Sequence, residues 1–238
     1  MIHNADCFDV LASLPDNSVD AVITDPPYGT TSIGWDTAPN LARWWDEVER
    51  VLRTPNSPVV MFADEPFTSR LVCSKEKWFR HDWVWKKPQH SGAHLVRFRP
   101  LKYTEDILVF SKDKANYYWE AVVEELETPK TIDNNLASLG KVLGEARTFT
   151  GKHTTKHTGF PKEVLEFASP RKDRIHPTQK PVELLEYLLP LYTQEGDVVL
   201  DPFMGSGTTG VACKNLNREF IGVEKEENYF ALAGERLA

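Results

Sequence analysis

Cysteine is scarce and scattered. Cys7, Cys73 and Cys213 are odd in number, far apart and without a CxxC pair, so neither a disulfide framework nor a metal site of the zinc type is suggested. No apolar stretch approaches the ~20 residues that span a bilayer. The start, Met1-Ile2-His3-Asn4-Ala5-Asp6, does not read as a signal peptide. No membrane partner is expected, and the cytoplasm is the expected compartment. Excess positive charge is missing too: a formal net charge of -7 argues against a general nucleic-acid coat protein, while leaving room for a local basic surface. Repeats and low-complexity tracts are absent. The chain of 238 residues, 41% hydrophobic and 26% charged, is long enough for one domain with a sizeable insertion and a real core.

Short apolar runs alternate with amphipathic stretches in the N-terminal part. Val19 to Thr24 reads as a strand, and Leu41 to Leu52 as a helix with Trp44, Trp45, Val48 and Leu52 on one face. Pro58 to Phe62 is a second strand, followed by a helix from Pro66 to Ser74. Trp83-Val84-Trp85 and Ile107 to Phe110 read as further strands. From Tyr118 to Ile175 the periodicity fades and Gly, Thr, Asn, Lys and His increase, which suggests an insertion. Alternation then returns with Pro181 to Leu191 (helix), Val198 to Leu200 (strand), Thr208 to Asn215 (helix), Phe220 to Val223 (strand) and Glu227 to Leu237 (helix). Such alternation indicates an α/β domain with a mostly parallel sheet.

Two motifs carry chemistry. Asp25-Pro26-Pro27-Tyr28 ends the first strand, where open α/β sheets bind ligands. Prolines remove N–H donors and stiffen the chain, so the Asp25 carboxylate and nearby carbonyls face a cavity as acceptors. Tyr28 offers a flat face to a planar ring. An isolated Asp-Pro is usually just a proline turn. The second motif, Asp201-Pro202-Phe203-Met204-Gly205-Ser206-Gly207-Thr208-Thr209-Gly210, changes that balance. Its three glycines follow GxGxxG between a strand and a helix, a turn that lets a ligand approach backbone and helix N-terminus. It lacks the Lys of a Walker loop. Glu224 closes the next strand, where a carboxylate accepts both hydroxyls of a ribose. Only residues 211–238 follow the glycines, too few for the second half of a dinucleotide fold, so a nicotinamide enzyme fits poorly.

Together these residues resemble the S-adenosylmethionine-dependent amino-methyltransferases of DNA, in the motif order called the β class. The resemblance runs from Asn4-Ala5-Asp6-Cys7 through Gly29, and again through Gly159-Phe160-Pro161-Lys162, His176-Pro177-Thr178-Gln179-Lys180-Pro181 and on to Arg236-Leu237. In the middle it is loose, at Trp85-Lys86 and Glu105 to Leu108. It implies a Rossmann-like methyltransferase fold with a mostly parallel seven-stranded sheet flanked by helices. Residues 1–117 would be the catalytic half, 118–175 an insertion holding the target-recognition region, and 176–238 the cofactor half. Asp6 and Cys7 would lie near the cofactor adenine, and Gly205, Ser206, Gly207 and Thr208 would cradle its methionine portion. Asp25, Asp201 and Phe203 are counted with them, Glu224 would hold the ribose, and Lys180 would begin the helix beside the cofactor and reach its carboxylate.

The implied chemistry is methylation of an exocyclic amine in double-stranded DNA. Such an amine is a poor nucleophile until acceptors hold its hydrogens and turn the nitrogen towards tetrahedral geometry. Asp25 and the Pro26 carbonyl suit that task, with Tyr28 stacked on a base that has left the duplex. No cysteine follows a proline, so covalent methylation of cytosine carbon 5 is not expected. Asp at the first position leans towards adenine N6; cytosine N4 needs the same acceptors. RNA or protein amide methylation and a nicotinamide-binding regulator remain alternatives. Two basic stretches suit phosphate contacts: Lys86, Lys87, Arg97, Arg99 and Lys102, and then Lys152, Lys156, Arg171 and Arg174. A homodimer or partner subunit is a further expectation, because the recognition module is short.

Overall fold

Strands buried on both faces need no alternation, and at the centre of the sheet the apolar runs are buried throughout. The structure is a computed structural model that describes residues 1–31, 33–34, 36–93, 96–135, 150–170 and 178–238. In chain order its elements are β1 (Ile2–Asn4), α1 (Cys7–Ser13), β2 (Ala21–Thr24), α2 (Leu41–Val51), β3 (Val59–Ala63) and α3 (Phe67–Ser74). Then come β4 (Phe79–Ser91), β5 (Lys102–Phe110), β6 (Glu124–Asn135), β7 (Thr150–Thr158) and β8 (Val164–Glu166). The last are α4 (Val182–Tyr192), β9 (Val198–Asp201), α5 (Thr208–Asn215), β10 (Glu219–Glu224) and α6 (Glu227–Leu237).

The main sheet has the order β1-β10-β9-β2-β3-β5-β4-β8. Five neighbouring pairs are parallel; β5 runs antiparallel to both β3 and β4. Among the described residues the sheet therefore has eight strands rather than seven. The additional one, β8, is three residues long with only Leu165 buried, too short for a periodicity signal. Strand β1 and the seven-residue helix α1 escape sequence reading for the same reason. Helices α1, α2 and α3 touch in series, as do α4, α5 and α6. Trp44, Trp45, Val48 and Val51 of α2 pack on Val59, Met61 and Ala63 of β3, alternate residues that share one strand face.

The compact unit that holds the site comprises Met1–Tyr118 and Lys162–Ala238. The second unit is Trp119–Pro161, within the 118–175 segment set apart by composition; Lys162–Pro170 packs with the first. Its described part is the antiparallel pair β6–β7, with the Trp119 ring against Phe160 and His157, each at 5.5 Å between centroids. Among the described residues no helix is long and apolar enough to cross a membrane.

A polar knot lies between β4 and α4. The buried Tyr192 hydroxyl accepts the Trp83 indole N–H at 2.6 Å and lies 2.8 Å from His81 Nε2. Tyr192→Phe leaves that buried indole donor without an acceptor. The expected loss of stability is about 1–3 kcal/mol, read as a lower urea midpoint with an unchanged slope.

Candidate active site at the β9–β2 crevice

Strand order fixes where a ligand fits. From β9 the chain proceeds outward through β10, whereas from β2 it proceeds the other way through β3. Between two such strands the connecting segments diverge and leave a crevice at the carboxyl ends. Strands β2 and β9 are parallel neighbours, with Ala21 beside Val199 and Val22 beside Leu200. The tetrapeptide after Thr24 and the glycine loop after Asp201 consequently open side by side. They share one cavity of about 790 Å³, within the range of small-molecule clefts. All four residues of Asp25-Pro26-Pro27-Tyr28 line it, as does every residue expected to meet the cofactor except Gly207.

Gly207 works from behind. It caps α5 in the left-handed conformation at φ 77°, and a Cβ there would meet the Ala233 Cβ of α6 at 3.2 Å. Its absence of a side chain serves helix packing rather than ligand approach. At Ser206, the main-chain oxygen accepts from Arg236 at 2.6 Å. Glu224 ends β10 with each oxygen accepting one backbone N–H, Gly205 at 3.0 Å and Glu226 at 2.8 Å. Burial still pushes its carboxyl up, and each oxygen keeps a lone pair for an incoming hydroxyl. Asp6 caps α1 by accepting the Phe8 N–H at 3.0 Å, which places it and Cys7 on the cleft wall. Burial, and then Asp6, push the Cys7 thiol up to about 12, so it is no nucleophile.

On the catalytic side the groups interlock. Asp25 Oδ1 accepts the Tyr28 hydroxyl at 2.7 Å, and Oδ2 accepts from Lys180 Nζ at 2.5 Å. Burial pushes the Asp25 carboxyl up; Lys180 opposes this and Glu105 reinforces it. The Tyr28 ring stacks on Phe67 with centroids 5.4 Å apart, so one face is already occupied. Lys180 is almost fully buried beside the Phe62 ring and is also 2.8 Å from Glu105 Oε1. It thus anchors carboxylates on the catalytic side, where the sequence suggested a reach to the cofactor. Glu105 escaped sequence analysis as a site residue. Its one available signal is register: in β5 it shares a face with the buried Ile107 and Val109.

Beyond the tetrapeptide the chain turns back on Asp36. Its carboxylate accepts the N–H groups of Gly29 (2.8 Å), Thr30 (3.0 Å) and Thr31 (2.7 Å). Burial is outweighed by the Thr31 side chain together with those backbone bonds, and the Asp36 carboxyl lies below its ordinary range.

The expected DNA-contacting residues divide. Lys87 turns into the cleft, 2.5 Å from Glu105 Oε2 and over the Trp85 ring, instead of outward. Its neighbour Lys86 faces the other way and pairs with Glu166 at 2.8 Å, as strand alternation requires. Lys102 pairs with Asp64. Arg97 and Arg99 are exposed on the segment linking β4 to β5, and Lys156 is exposed on β7. Lys152 contributes backbone to β7 opposite Asp133. Arg171, Arg174, His176 and Pro177 lie outside the described residues.

Fold, crevice and cradle define a methyltransferase whose cofactor is S-adenosylmethionine. The chain belongs to the DNA methylase family of the N6/N4 type, whose signature matches residues 19–235. Type II methyltransferase M.BglII of Bacillus subtilis is 31% identical over 258 residues, spanning 100% of this chain and 68% of that protein. The crystal structure of the M1.HpyAVI–SAM complex aligns with a TM-score of 0.66 at 30% identity, over 100% of this chain and 99% of that one. The cytosine-N4-specific PvuII DNA methyltransferase shares the fold, with a TM-score of 0.70 at 19% identity over 100% and 86% of the two chains. The enzyme is a DNA methyltransferase.

Asp201, expected near the cofactor, is mainly a fastener. Its oxygens accept from Thr24 (2.6 Å), Thr209 (2.7 Å) and the Phe203 N–H (3.2 Å). Burial outweighs those bonds and raises its carboxyl from 3.8 to about 6. An acid with a raised folded pKa binds its proton more tightly when folded, so the wild type loses stability as pH rises from about 4 to about 6. Asp201→Asn keeps acceptor and size without the charge. It is expected to be more stable than wild type above pH 6, by up to about 3 kcal/mol, with the gap closing towards pH 4. Denaturant titrations showing the wild type more stable above pH 6 would contradict this.

Proposed function

We propose that the enzyme methylates the N6 amine of adenine in double-stranded DNA at a specific sequence. The observation that carries this reading is the position of Asp25-Pro26-Pro27-Tyr28 in the same cleft as the glycine loop and Glu224. S-adenosylmethionine supplies an electrophilic methyl group when bound. The rest is done by the chain. Glu224 takes the ribose hydroxyls, Asp6 and Cys7 border the adenine, and the Gly205–Thr208 turn receives the methionine end. Asp25 and the Pro26 carbonyl accept the two amine hydrogens and so free the nitrogen lone pair. An ionised carboxylate has about four acceptor sites; Tyr28 and Lys180 occupy two on Asp25. Tyr28, backed by Phe67, presents its remaining face to the base. Positioning and acceptor electrostatics supply the acceleration.

Asp at the head of the tetrapeptide supports adenine. Cytosine N4 is the second reading, favoured by the fold shared with a cytosine-N4-specific enzyme. Incubating unmethylated DNA with labelled S-adenosylmethionine and separating the nucleosides decides it. N6-methyladenine is expected; N4-methylcytosine alone would overturn the adenine assignment. Asp25→Ala should lower turnover by at least about 10³-fold while calorimetry still finds cofactor bound, since Lys180 retains Glu105 as partner.

For DNA contacts we infer that Arg97 and Arg99 meet phosphates beside the cleft, that Lys156 and the second unit, Trp119–Pro161, take part in target recognition, and that the enzyme works beside a partner nuclease. Replacing both arginines by alanine should weaken binding across all sequences and flatten the salt dependence of log K by about one to two units. An unchanged slope would exclude them.

A further inference from the structure

Tyr28 has one hydroxyl proton and two carboxylate neighbours. Its oxygen is 2.7 Å from Asp25 Oδ1 and 2.9 Å from Glu105 Oε1. A phenol donates to one acceptor at a time, so with both acids ionised the second would face a bare lone pair. Lys180, with three N–H donors, serves both acids at once, 2.5 Å from Asp25 Oδ2 and 2.8 Å from Glu105 Oε1. Lys87 belongs to Glu105 alone, at 2.5 Å from Oε2. Glu105 thus has two ammonium partners and Asp25 has one. A proton taken up by the cluster as pH falls would accordingly go to Asp25 rather than Glu105, and from there it could bond to the Tyr28 oxygen while Tyr28 donates to Glu105.

We propose that Glu105 is a positioning residue for the transfer: through Tyr28 and Lys180 it sets both the direction of the Asp25 carboxylate and its hold on a proton. This rests on the reading of Asp25 as the amine's acceptor. The charged and titratable groups facing Asp25 are Tyr28 from its own turn, Lys180 before α4, Glu105 from β5 with Lys87 of β4 behind it, and Asp201 at the end of β9. The directions agree with the geometry. Burial would raise Glu105, but Lys180 and Lys87 outweigh it and bring the carboxyl to about 2, whereas Asp25 is raised.

Glu105→Gln keeps the size and an acceptor oxygen but removes the charge. The rate requires ionised Asp25, so it falls on the acid side as Asp25 takes up its proton. Without the neighbouring anion Asp25 releases that proton more easily, so the acid limb of the kcat profile should move to lower pH. The plateau should fall by about tenfold or more as Tyr28 and Lys180 lose their second anchor, with cofactor affinity held within about threefold. Lys87→Gln removes a cation instead and should move the limb to higher pH. A merely structural Glu105 would lower the plateau and leave the limb in place, and that result overturns the proposal. Should Glu105→Gln fail to fold, the Lys87→Gln shift decides alone, an unmoved limb counting against the proposal. A ¹³C-carboxyl titration of Asp25 by NMR reads the same shifts without turnover. If the wild type methylates no DNA, the activity reading fails on its own, and the titration still decides the coupling.

Discussion

Everything at the site depends on two strands lying side by side although the chain separates them by most of its length. Strands β2 and β9 are joined along Ala21–Val199 and Val22–Leu200, and at their ends Thr24 donates to Asp201 across 2.6 Å. That contact is buried, so water does not compete for it. Because β2 leads to Asp25-Pro26-Pro27-Tyr28 and β9 to the glycine loop, the two motifs to which the proposed reaction assigns amine and cofactor are set by one pairing. The order in which the halves occur along the chain is then immaterial to the chemistry. Asp201 retains its unfavourable buried charge where Thr24, Thr209 and the Phe203 N–H converge.

Much of this was legible from residues alone. The runs at β2 and β3 declared themselves because central parallel strands are apolar throughout. Helices α5 and α6 follow the sequence limits residue for residue, since Gly207 and Glu226 interrupt the periodicity just before them. Strands β4 and β5 extend well beyond Trp83–Trp85 and Ile107–Phe110 because their outer halves are polar and carry little apolar pattern. The places of Lys87 and Glu105 are hidden from sequence for a related reason. Composition marks a lysine in a basic stretch as surface, whereas the sheet folds it against a carboxylate two strands from Asp25. Only the register of β4 on β5, with Trp85 opposite Glu105, brings those charges together.

The cluster so formed is electrically close to balanced. Two acids and two ammonium groups meet around one phenol, and each is costly to bury alone. Such a network holds its members in one arrangement more firmly than loop residues hold themselves, which suits the proposed task of placing an amine within a fraction of an ångström.

Asp36 has the opposite tendency to Asp25, and the pair sets an order of events on acidification. The Thr31 side chain and three backbone N–H groups hold the Asp36 carboxyl below the usual carboxylate range, while burial raises Asp25 above it. As pH falls, Asp25 takes up its proton while the turn beside it is still fastened by Asp36. On the proposed reading of Asp25, acid therefore stills the chemistry before it releases the turn fastened by Asp36.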